Sequence, residues 1–172
     1  ISLLDEGNTI PFIARYRKEM HGSMDDTTLR NLETRLNYLR NLNERKEEVL
    51  RSIENQGKLT DELATSIQQA VTLAEVEDLY RPYKQKRRTR ATMAKEKGLE
   101  PLALDIFLQD GRKPEDLAAS YVDLEKGVNT IEDALAGASD IIAEMISDDA
   151  DIRKALREKM ESKAIITVQA TD

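Results

Sequence analysis

Leu29, Leu32, Leu36, Leu39, Leu50 and Ile53 follow one another at helical spacings of three and four, and they predict one long helix over about 27–56. Asp25 or Asp26 precedes it as an N-cap and Gly57 follows as a stop. At about 1.5 Å per residue such a helix runs roughly 45 Å, more than one small globule covers, so it reads as a spine with neighbours packed at both ends. Asn43 and Lys46 interrupt the seam in its middle, which weakens a continuous coiled coil and favours bundle core over a dimer interface.

Shorter segments flank the spine. Residues 1–6 read as a helix end stopped by Gly7; Thr9 then caps a helix with Pro11 in its first turn, Phe12, Ile13 and Tyr16 as its apolar face and Gly22 as its stop. Thr60 caps a helix with Leu63, Ile67, Ala70 and Val71 inward, and the capping box Thr72-Leu-Ala-Glu75 starts another that Pro82 breaks after Tyr80. Residues 84–88 read as a loop, Thr89 as the cap of a helix ending before Gly98, and 100–109 and 114–122 as helices burying Leu102, Ile106, Phe107, Leu117 and Tyr121. Thr130 caps 131–147, where Ala136, Gly137 and Ala138 permit close packing at some cost in helix propensity. Asp148 or Asp149 caps a last helix to about Ser162, and 164–170, Ala-Ile-Ile-Thr-Val-Gln-Ala, is the one strand-like run. The expected fold is therefore all-α, an elongated irregular helical array around the long helix with a lone C-terminal strand.

Charge changes this picture most. From 81 to 97 there are eight Lys/Arg against Glu96 alone, about +7 inside a chain whose formal charge is −7. Lys84, Lys86, Arg87, Arg88 and Arg90 crowd into seven residues and repel one another unless anions neutralise them. Phosphates do this well, with counterion release favouring the complex; Tyr80 and Tyr83 flank the run as stacking surfaces, and the helix start near Thr89 adds amides. The competing reading is internal pairing or protein contact, because residues 110–151 hold twelve Asp/Glu against three Lys/Arg. Both readings stay open.

The chain has no cysteine, so disulfides are excluded and a reducing cytoplasm, the expected location, is permitted. No apolar run approaches the ~20 residues that span a bilayer, and no membrane partner is expected. His21, the one histidine, sits in a Met-His-Gly turn and reads as a satisfied or solvated surface group. Asp148, Asp149 and Asp151 lack the glycine and distal glutamate of a calcium loop and read as caps. There is no Gly-Lys-Ser/Thr phosphate loop and no nucleophile elbow. No catalytic residue, metal or cofactor is expected, and the chain is not expected to be an enzyme. Arg15 and Arg17, set among apolar residues, read as a buried pair locking two helices, with ligand contact as the alternative.

Three stretches carry a resemblance: EDLYRPYKQKRRTRATMAKEKGLEPLA over 77–103, NTIPFIARYRKE over 8–19 and SIENQGKLT over 52–60. Together they resemble the N-terminal helical region of the Tex family of bacterial transcription accessory proteins. The resemblance implies one helical domain over 1–162 and an extension over 163–172, strand-like or disordered, leading toward missing domains; the start at Ile1 likewise suggests a fragment. In that family such a region precedes an RNase H-like domain, a helix-hairpin-helix domain and an S1 domain that is the main nucleic acid binder. The expected role is thus a helical scaffold of a protein that binds RNA or DNA mainly through domains absent here, with Lys84, Lys86, Arg87, Arg88, Arg90 and Tyr83 as this chain's own contacts. The alternative is an acidic module docking RNA polymerase, another transcription factor or the protein's downstream domains.

Overall fold

The computed structural model describes residues 1–85 and 87–170. They form an all-α structure of two compact units, Ile1–Val76 and Glu77–Asp172. Among the described residues no helix is long and apolar enough to cross a membrane.

The first unit opens with α1 (Ser2–Asp5), α2 (Ile10–Tyr16) and α3 (Lys18–His21), followed by α4 (Asp26–Asn55), α5 (Asp61–Gln69) and the start of α6 (Leu73–Tyr80). Asp25 caps α4, its Oδ1 accepting from the Thr28 N–H at 2.7 Å. Gly57, just past the end of α4, has φ +67°, a left-handed turn that glycine adopts freely. Ile10 and Ile13 of α2 pack on Leu29 of α4, with Leu3, Leu4 and Ala14 around them. Farther along, α4 buries Leu42, Val49 and Ile53. Lys46 lies on the same side and ends in a hydrogen bond to the Gln68 carbonyl at 2.7 Å, so its charge closes the α4–α5 contact instead of interrupting it. The Tyr38 hydroxyl accepts from Leu73 N–H at 3.2 Å. The Thr72–Glu75 capping box forms: Glu75 N–H donates to Thr72 Oγ1 at 3.2 Å and Thr72 N–H to Glu75 Oε2 at 3.1 Å.

The second unit continues with a 3₁₀ turn (Arg81–Tyr83), α7 (Arg90–Glu96), α8 (Glu100–Phe107), α9 (Pro114–Ala118), a second 3₁₀ turn (Ala119–Tyr121), α10 (Ile131–Asp148) and α11 (Ala150–Lys163). Its core is Ala91, Ala94, Leu99, Leu102, Ala103, Ala118, Val128, Ala134, Ala138 and Ile141. Helix α10 is the hub, touching α7, α8, α9 and α11. Thr130 and Asp133 cap it reciprocally. A side chain at Gly137 would collide with Leu99 Cδ1 and come within 3.3 Å of Ala94 Cβ, so the glycine permits the close approach of α10 to α7 and the start of α8.

Several expectations need correction. The predicted helix from Thr9 to Gly22 breaks at Arg17, whose φ −129° and ψ 32° leave the helical region. The face of α2 that is buried carries Ile10 and Ile13, whereas Phe12 and Tyr16 are exposed. Leu32, Leu39, Val71 and Phe107 are also exposed, because the buried seams turn a residue or two away from them. Of the two readings of His21, the satisfied one holds: it is half-buried, its Nε2 3.1 Å from the Ile13 carbonyl. Residues 164–170 form no strand: Ile165, Ile166 and Val168 stand in solvent, and no described strand offers the ladder that would satisfy their backbone.

The Gly137 contact generates a prediction. Gly137→Ala gains up to about 1 kcal/mol of helix propensity but overpacks a site enclosed by the buried Leu99, a cost of about 1–3 kcal/mol. We expect a net loss of about 1 kcal/mol in urea unfolding followed by far-ultraviolet circular dichroism. A more stable variant would contradict the packing.

Candidate nucleic-acid interface

The basic segment is built between α6 and α7. Pro82 cannot continue α6, and the chain turns through the 3₁₀ turn into the loop that ends at Thr89. Thr89 caps α7, its Oγ1 accepting from Thr92 N–H at 3.0 Å and donating to Glu144 Oε1 at 3.1 Å. The two ends of the segment rest on one side of α10. Arg90 Nε lies 3.3 Å from Asp140 Oδ1, and Arg81 Nε donates to Asp148 Oδ1 at 3.0 Å. Asp140, Glu144 and Asp148 recur every four residues, so they form one acidic stripe along the helix. That stripe was readable in the sequence once 131–147 was taken as helical; the twelve acids of 110–151 hid it in a composition.

Between these anchors Lys84, Arg87 and Arg88 are exposed. Lys84 Nζ is 3.8 Å from Glu77 Oε2, and Arg88 Nη2 is 2.6 Å from Glu96 Oε2. Arg87 is exposed and makes no ion pair among the described residues. Lys86, a sequence candidate, lies outside the described residues. Tyr83 is half-buried in the 3₁₀ turn, as is Tyr80 at the end of α6. Farther on, Lys95 pairs with Glu100 at 2.9 Å and Lys97 Nζ donates to the Gly127 carbonyl at 2.8 Å. Acids thus match much of the charge window, but the Lys84 and Arg88 side chains remain 59% and 69% exposed. Pairs of that kind contribute about 0–1 kcal/mol each, so a phosphate replaces the carboxylate at little cost.

One ion pair in this region is of another kind, and the sequence reading missed it. Asp78, on α6 just before the basic segment, is 4% exposed. Its Oδ1 accepts from Arg153 Nε at 2.6 Å and its Oδ2 from Arg157 Nη2. Arg153 and Arg157 are one turn apart on α11, which Asp149 caps through a 2.8 Å bond from Ile152 N–H. Helix α11 buries none of its residues, so this clamp carries much of its attachment to α6. Burial pushes the Asp78 carboxyl up, but the two guanidinium hydrogen bonds outweigh it and hold the group below the ordinary carboxylate value. The available signal was two arginines at i and i+4 behind a capping Asp. Outside the clamp, Ile152, Leu156 and Met160 line an exposed apolar stripe of α11.

Arg15 and Arg17 do not form the expected buried pair. Both are exposed, and the Arg17 guanidinium sits 5.9 Å from the centre of the Phe12 ring.

Residues 1–54 match the Tex-like protein N-terminal domain, and residues 109–172 match the Tex central region-like family. The chain is similar to Protein tex of Bordetella pertussis, 51% identical over 166 residues that cover 96% of this chain and 21% of that protein. It is similar to Transcriptional accessory protein Tex of Neisseria gonorrhoeae, 49% identical over 173 residues, 100% of this chain and 22% of that protein. It is also similar to S1 RNA-binding domain-containing protein 1 of Homo sapiens, 32% identical over 168 residues, 96% of this chain and 16% of that protein. The chain belongs to the Tex family of transcription accessory proteins. It spans about a fifth of the length of these bacterial relatives. The basic segment lies between the two family-matched stretches.

Breaking the Asp78 clamp tests its role. Asp78→Ala leaves two guanidinium groups without their shared acceptor, and we expect a loss of about 2–3 kcal/mol, below the full cost of a severed buried pair because both arginines are part-exposed. The folded carboxyl titrates below its unfolded value of about 3.9. Its contribution is therefore complete above that value and is lost as pH falls through the lowered folded value. Asp78→Asn should flatten this part of the acid unfolding curve; an unchanged curve would contradict the clamp.

Proposed function

We propose that this chain is a helical scaffold module of a transcription accessory protein and contributes to nucleic acid binding through the basic segment 81–97. The observation that carries this reading is the contrast within the segment. Its ends are anchored on the acidic stripe of α10, while Lys84, Arg87 and Arg88 project from the loop between them with weak, exposed partners or none. Lys86 falls between them in sequence and adds to the same charge. Arg90 is 81% exposed even while it faces Asp140, so it serves as an anchor that still offers its outer edge to a phosphate. Tyr83 offers at most one edge to a base. The relative named for an S1 RNA-binding domain favours RNA as the first nucleic acid to test, with DNA as the alternative. The module supports binding by other parts of the protein and performs no enzymatic step in this proposal.

A second reading is an acidic protein-interaction module that docks RNA polymerase, another transcription factor or downstream parts of its own protein. The exposed Ile152, Leu156 and Met160 on α11 favour it.

The two readings separate in a salt titration of RNA and DNA binding, read by anisotropy between ~50 and ~200 mM salt. Four phosphate contacts predict a fall of about 50- to 150-fold over that range. Arg87→Glu/Arg88→Glu should weaken binding at low salt and lower the salt slope by about 1.4–1.8. A slope unaffected by the double substitution would remove the basic loop from the interface.

A further inference from the structure

The first unit holds a patch whose cations are matched less than those of the basic loop. On α2, Ile10 and Ile13 take the buried side, which turns Phe12, Arg15 and Tyr16 outward together, since residues three and four apart are neighbours on a helix. The Phe12 and Tyr16 rings lie 5.4 Å apart, tilted by 47°. They are 38% and 60% exposed. The chain breaks at Arg17, and that break brings the Arg17 guanidinium 5.9 Å from the centre of the Phe12 ring. Arg15, Arg17 and Lys18 are all exposed, and none of them makes an ion pair among the described residues.

These features have no packing rationale within the unit. Two rings left partly in water forgo some of the burial that would stabilise them. Three unpaired cations within four residues repel one another. Both costs vanish against a ligand that presents flat apolar faces and negative charge together. Single-stranded nucleic acid is such a ligand: every base has a face that stacks on an aromatic ring, and every linkage carries a phosphate. A duplex hides its base faces, and a plain acidic peptide has none to stack.

We propose that Phe12 and Tyr16, with Arg15, Arg17 and Lys18, form a stacking platform for single-stranded nucleic acid, separate from the basic loop. Bases stack on Tyr16 and against the exposed part of Phe12. Arg15 and Lys18 take the flanking phosphates, and Arg17, already over Phe12, extends the platform as a planar cation. The platform belongs to the first unit and the loop to the second, so neither proposal depends on the other.

The test uses the whole chain with fluorescein-labelled oligothymidylate of ~20 nucleotides and a duplex of the same length, at ~50 mM salt. Phe12→Ala/Tyr16→Ala should weaken single-strand binding by about ten-fold or more and leave duplex binding within about two-fold. Tyr16→Phe should retain affinity. Arg15→Gln/Lys18→Gln should lower the single-strand salt slope by about 1.4. The same losses should appear in an Arg87→Glu/Arg88→Glu background, which separates this platform from the loop. If the double alanine variant fails to fold by thermal melting, the Arg15→Gln/Lys18→Gln slope decides. Three results would overturn the proposal: single-strand affinity untouched by the ring substitutions, equal losses for single strand and duplex, or no oligonucleotide binding by the unaltered chain, as expected of a face that seats a protein.

Discussion

The second unit depends on how closely α10 meets the helices laid across it. Ala134, Gly137, Ala138 and Ile141 make a narrow face, and Leu99 fills the space that a side chain at Gly137 would take. With only two Phe and no Trp in the chain, small-residue contact of this kind substitutes for large aromatic burial. The same helix turns its acidic stripe toward the basic segment. One element therefore sets both the packing of α7 and the two points at which the basic segment is pinned. The loop's ends are set by Pro82, which stops α6, and by the Thr89 cap, whose hydroxyl also bonds Glu144, and the exposed Arg81–Asp148 and Arg90–Asp140 pairs add a weak registry along the same side of α10.

Two classes of ion pair divide the labour. Asp78 with Arg153 and Arg157 is buried at the carboxylate and fastens α11, a helix with no buried residue, to α6. The pairs along the basic segment keep their cations in water, where each contributes little and is screened by salt. The first kind fixes structure and the second leaves charge available. A chain of net charge −7 can in this way keep a local positive surface.

Helix positions were largely legible in the sequence because they are dictated locally. Thr60, Thr89, Thr130 and Asp149 cap the helices that their side chains suggested, and Gly57 stops α4. Gly137 was legible as a close contact because a glycine inside a helix costs about 1 kcal/mol of propensity and needs a packing reason. Which face each helix buries was less legible. Phe12, Tyr16 and Phe107 are hydrophobic enough for the core, yet Ile10, Ile13 and Leu102 take the buried positions, a choice made by neighbours distant in sequence. The Asp78 clamp and the pairing of Arg90 with Asp140 depend on such distant neighbours and leave only faint spacing signals. The strand-like run 164–170 had the composition of a strand without a partner, and composition alone makes no ladder.

The central claim is that phosphate displaces the weak partners of the loop cations while the anchors on α10 hold. An amide and arginine side-chain nitrogen–hydrogen correlation spectrum of the chain, titrated with a ~20-nucleotide single-stranded RNA at ~50 mM salt, tests this directly. Shifts are expected at the backbone of the 84–88 loop and at the Arg87 and Arg88 guanidinium groups, with the Arg81 side-chain signal that reports its bond to Asp148 unmoved. Saturating RNA that leaves the loop unshifted, or shifts confined to α11, would contradict it.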